Sequence, residues 1–98
     1  MSKRIGYNNR FITLHYSNDS IYKTNLKKHT MIEVLGESKG KNYSQVEQEA
    51  QIYLINDATL KKPRLKLRKI VGIQQRTNYD QENGGLIEIV LQGIAVFK

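Results

Sequence analysis

The sequence predicts an α+β domain that is mostly β: a small five-stranded barrel, OB-like or SH3-like, with one helix between strands three and four. Three observations predict it. Runs of β-branched and aromatic residues recur between clusters of turn-forming residues. A single interval, after Asn42, changes to a helical period. The chain of 98 residues is 39% hydrophobic and 26% charged, a balance that suits one globular domain spanning 1–98 rather than two.

Residues 1–9 are polar and basic and read as a loosely ordered arm. Arg10-Phe11-Ile12-Thr13-Leu14-His15-Tyr16 is the first strand; alternation puts Ile12, Leu14 and Tyr16 on one face and Phe11, Thr13 and His15 on the other. Ser17-Asn18-Asp19-Ser20 has the chemistry of a turn, and Ile21 to Thr24 would return as a second strand. Thr30 to Leu35 forms the third strand, and Gly36 to Asn42, with two glycines and two lysines, reads as a loop. Ser44-Gln45-Val46-Glu47 has the form of a capping box, with Ser44 as N-cap. Val46, Ala50, Tyr53 and Leu54 then share one helical face, which predicts a helix over 45–55 that stops at Asn56-Asp57. Within it, Ile52, Tyr53 and Ile55 would suit a strand over 51–55 equally well. Pro63 belongs at a strand start, and the fourth strand is expected from Arg64 to Gln75, with a bulge or bend where its alternation slips at Arg68-Lys69. Asn83-Gly84-Gly85 marks a turn. Leu86 to Phe97 is a long apolar strand, apolar on nearly both faces and so central, which Gly93 would bend.

Charge is the most informative feature for function. The formal net charge is +7, and it is unevenly placed. Residues 59–76 hold seven Lys/Arg and no acid, while residues 42–58 hold Glu47, Glu49 and Asp57 and no Lys or Arg. On an extended strand Arg64, Lys66 and Arg68 would share one face, with Leu65 and Leu67 on the other. Such a row suits a polyanion, because lysine and arginine that neutralise phosphates release counterions. The structural alternative is an edge strand that carries charge to block aggregation. The candidate nucleic-acid contacts are Lys61, Lys62, Arg64, Lys66, Arg68 and Lys69, extended by Lys23, Lys27 and Lys28, with Tyr22 or Tyr43 to stack on bases.

Other chemistry finds little footing. There is no cysteine, so disulfides and thiolate ligands are excluded. His15 and His29 lack partners at metal-ligand spacing, so neither a metal nor a cofactor is implied. No serine sits in a nucleophile elbow, no glycine pattern forms a phosphate loop, and Glu47 and Glu49 point apart on a helix. An enzyme is not expected. No apolar run approaches the roughly 18 residues of a membrane span, and the basic N-terminus lacks the apolar stretch of a secretory signal, so a cytoplasmic location is expected. The expected function is non-enzymatic binding of DNA or RNA through phosphates with little sequence readout. The alternative is a virus or mobile-element accessory protein, an assembly subunit or an inhibitor of a host factor. It would act on an acidic protein surface, or as a homo-oligomer joined through its C-terminal strand.

Overall fold

The computed structural model describes residues 2–16, 30–82 and 84–98. The expected strand from Ile21 to Thr24 lies outside them. The segment read as a loose arm contains strand β1 (Ser2–Tyr7), which pairs antiparallel with β2 (Arg10–Tyr16). The turn between them explains the pairing. Asn8 and Asn9 have φ values of 50° and 64°, the left-handed pair that a two-residue hairpin requires, and asparagine tolerates that region better than most residues.

Strand β3 (Thr30–Gly40) continues five residues beyond Leu35, through the expected loop. Its glycines are packing devices. A Cβ at Gly36 would stand 2.4 Å from the Ala50 carbonyl oxygen, and one at Gly40 would stand 2.9 Å from Val46 Cγ2. Helix α1 (Tyr43–Lys61) therefore lies almost directly on the strand backbone. It is longer than expected at both ends. Asn42, not Ser44, caps it, accepting from the Gln45 N–H at 3.2 Å. Asn56 and Asp57 do not stop it, because their side chains have tertiary partners instead of competing for the helix backbone. Asn56 Oδ1 accepts from the Tyr7 hydroxyl, and Asp57 Oδ2 accepts from the Leu35 N–H at 2.8 Å. The strand alternative for 51–55 is thus replaced by helix. Tyr53 faces outward, and Gln51 and Ile55 take buried places.

Strand β4 (Leu67–Asp80) starts three residues later than Arg64 and ends beyond Gln75. Strand β5 (Leu86–Phe97) has its expected bounds. At Gly93 a Cβ would meet Ile73 Cγ1 at 2.9 Å and Ile70 Cγ2 at 3.0 Å, so the glycine makes room for the β4 side chains. The five strands form one mixed sheet in the order β1-β2-β4-β5-β3, with β2 and β4 parallel and the remaining pairs antiparallel. The sheet has two edges, β1 and β3, and does not close into a barrel. The C-terminal strand expected to pair with another subunit is interior. Both of its sides are occupied, by β4 and β3, so it has no edge to offer.

Register sorts the side chains. Lys3, Leu14, Ile70, Ala95 and Ile32 align across the five strands on the face that α1 covers. There Leu14, Ile70 and Ala95 join Val46, Ala50, Leu54, Ile55 and Ala58 of the helix in the core. The next row, Arg4, Thr13, Lys69, Val96 and Met31, lies on the opposite face. No other element among the described residues covers that face. The helix also masks part of the β3 edge. Lys61 Nζ donates to the Glu33 carbonyl at 3.0 Å and pairs with Asp57 at 3.1 Å, beside the bond from Leu35.

A candidate nucleic-acid interface on the open face of the sheet

The ten-residue basic block does not form one strand face. Lys61 ends α1, Lys62 is its C-cap, and Pro63, Arg64 and Leu65 form a turn closed by the Leu65 N–H on the Lys62 carbonyl at 3.2 Å. Lys66 precedes β4, and its carbonyl accepts from the Lys98 N–H at 2.9 Å. The expected row of Arg64, Lys66 and Arg68 is therefore broken. Pro63 cannot donate to a ladder, and the chain is still turning at Arg64 and Leu65.

Arg68 and Lys69 are placed differently. The pairing of β4 with β5 shifts between Leu67 and Lys69, so Arg68 is the extra residue of a bulge at the expected slip. The bulge keeps Leu67 in the core and turns the very next cations toward the open face. Lys69 stands opposite Thr13 on β2, and Arg68 and Lys69 line a depression of about 270 Å³ with Thr13, His15 and Val96. Strand β4 is interior, so its charge is not edge protection. Among the described residues no carboxylate lies within ion-pair distance of Arg68 or Lys69. Lys61, by contrast, is committed to Asp57 and the β3 edge.

Two residues that the charge pattern overlooks complete the site. Arg4, on β1, lies opposite Thr13, and its guanidinium carbon is 4.5 Å from the centroid of the Phe11 ring. Phe11 keeps 62% of its surface exposed although its neighbour Ile12 is buried. The alternation of Phe11, Thr13 and His15 against Ile12, Leu14 and Tyr16 contains that signal. Arg4, Phe11, Arg68 and Lys69 thus lie on three neighbouring strands, β1, β2 and β4, at spacings of about 5 Å between strands. This is a cationic, aromatic surface that no helix among the described residues covers.

Tyr43 is elsewhere. Its hydroxyl accepts from Gln75 Nε2 at 2.9 Å, and Gln75 is on the helix-covered face, six residues along β4 from Lys69 or about 20 Å. There Tyr43, Tyr16, Glu47, Gln51 and Gln75 line a separate cleft of about 410 Å³. Gln51 Nε2 donates to the Tyr16 hydroxyl at 2.9 Å. Burial pushes that hydroxyl above the usual phenol range despite the bond from Gln51, and the Glu47 charge adds to the rise. Tyr22, Lys23, Lys27 and Lys28 lie outside the described residues. Among those described, no three His, Cys, Asp or Glu side chains converge to hold a metal ion, and no helix is long and apolar enough to cross a membrane.

No known family model, curated protein or solved structure matches this chain.

Proposed function

We propose that the protein binds nucleic acid through the phosphate backbone, with little sequence readout. The supporting observation is the pair Arg68 and Lys69: cations with no ion-pair partner among the described residues, on an interior strand, turned by a bulge onto a sheet face that no other described element covers, beside Arg4. Lys66, Arg64 and Lys62 extend positive charge around the end of the sheet, where β4 begins and β5 ends. With Arg4, Arg68 and Lys69 each on a phosphate, log affinity for a single strand falls against log salt with a slope of about −2, and each turn cation that engages steepens it by about 0.7. Fluorescence anisotropy with labelled oligonucleotides across a salt series tests this. The double variant Arg68→Glu with Lys69→Glu is expected to weaken binding by at least about tenfold and to flatten the slope. Unchanged affinity, or binding indifferent to salt, overturns the reading.

A protein partner is the second reading, favoured by one observation. On the β3–β5 side of the same face, Met31 and Ile94 are exposed around a groove of about 480 Å³ that Gln74 and Gln92 also line. Sedimentation separates the two readings. A monomer that shifts with oligonucleotide supports nucleic-acid binding; stable self-association without it favours assembly.

A further inference from the structure

We propose that the nucleic acid is single-stranded, with Phe11 stacking on an unpaired base while Arg4, Arg68 and Lys69 hold neighbouring phosphates. This rests on the reading above and sharpens it. A duplex keeps its base faces stacked and shows a protein only phosphates and groove edges. A groove is entered by something that protrudes, such as a helix or a two-stranded ribbon. Among the described residues the open face presents neither: it is a sheet surface, and the basic residues project from within it. An exposed phenyl ring on that surface, beside the hairpin turn, has nothing to gain from a phosphate. It has a flat face that suits any base, since every base offers a π surface.

The geometry around the ring fits this use. Arg4 sits over Phe11 from the strand on one side, and Arg68 and Lys69 rise from the strand on the other. The aromatic group is therefore flanked on both sides by cations, the arrangement that lets one nucleotide be stacked while the phosphates before and after it are neutralised. A guanidinium resting on the ring is itself a stacking surface for a base. Phe11 also has a structural duty. It stands opposite Gly6, and a Cβ there would be 3.8 Å from its Cε1, so the ring shelters a glycine of the edge strand. That duty explains why a bulky residue is present. It does not call for an aromatic one, because leucine would cover Gly6 as well.

The test uses the full chain and three labelled probes: oligodeoxyuridylate and oligouridylate of about 15 nucleotides, which share a base and differ only in the sugar, and a mixed-sequence DNA duplex of equal length. A single strand is expected to bind at least about tenfold tighter than the duplex, and the tighter of the two single strands identifies the sugar. Phe11→Leu is expected to lower single-strand affinity by about tenfold, leaving duplex affinity and the urea midpoint unchanged, and Phe11→Tyr is expected to retain wild-type affinity. If duplex and single strand bind equally, and Phe11→Leu changes neither while salt dependence persists, the stacking inference fails and the phosphate reading stands. If no probe binds even at low salt, both fail.

Discussion

Gly36 carries more of the fold than its size suggests. With hydrogen alone as its side chain, it lets the backbone of α1 settle onto β3, and any Cβ would collide with the Ala50 carbonyl and the Leu54 nitrogen at 2.4 Å. Backbone atoms in a helix cannot swing aside as a side-chain tip can. Gly36→Ala is therefore expected to lower stability by about 3 kcal/mol or more, at the upper end of overpacking costs, measured by urea unfolding. Gln51 is the second residue whose role depends on its surroundings. It is 1% exposed, its Nε2 is bonded to Tyr16, and its Oε1 has no partner among the described residues. Tyr16→Phe would leave the whole amide unsatisfied, at an expected cost of about 1–3 kcal/mol. The same hydroxyl makes a pH prediction. Its pKa is raised in the folded state, so the folded state favours the neutral phenol; that contribution is fully present below the ordinary tyrosine range and is lost as pH rises through the raised value. Wild type is expected to lose stability more steeply than Tyr16→Phe in strongly alkaline buffer, as followed by thermal melts.

At the scale of elements, the edges of the sheet decide its behaviour. On β3 the N–H of Leu35 and the carbonyl of Glu33, which would otherwise bond a neighbouring chain, are taken by Asp57 and Lys61 of the helix. Asp57→Ala is expected to cost about 1 kcal/mol and, more tellingly, to raise concentration-dependent light scattering, because it reopens an edge. The hairpin of β1 and β2 depends on left-handed backbone at Asn8 and Asn9. Asn9→Gly is expected to be neutral or slightly stabilising, and Asn9→Val to destabilise by about 1–2 kcal/mol, by urea midpoint. These elements also show what a sequence reveals. The first strand, Arg10 to Tyr16, and the last, Leu86 to Phe97, were legible because their alternation or apolar length survives without context. The slip at Arg68-Lys69 marked a real bulge. Gly36 and Gly40 misled because glycine signals a loop in a single sequence, and only a helix lying against them makes glycine a strand residue. Asn56-Asp57 misled because their partners, Tyr7 and Leu35, are distant in sequence. Asn8-Asn9 was a turn signal that the basic composition of the segment obscured. The candidate site was half legible: Arg68 and Lys69 stood out by charge, whereas Arg4 and Phe11 join them only through pairings among β1, β2 and β4.

For the whole molecule, the sheet order matters most. The β1–β2 hairpin is a local unit, but its attachment is not. It joins the rest by the parallel pairing of β2 with β4, through partners such as Thr13 and Lys69 that are 56 residues apart, and that ladder carries an irregularity before Tyr16. Hydrogen exchange is expected to show weaker protection along β1 and β2 than along β5 and the covered face of α1, because non-local, interrupted pairing opens first. Uniform protection across the sheet would contradict this. The hairpin junction bears on the proposed recognition. Arg4 and Phe11 belong to the hairpin, and Arg68 and Lys69 belong to the body, so a nucleic-acid strand bound as proposed would lie across both and clamp that seam. The apparent affinity of such a strand would be the intrinsic affinity scaled by the fraction of molecules with the hairpin seated, and its binding would seat any remainder. A disulfide engineered across β2 and β4 would thus tighten binding without adding one contact to the ligand.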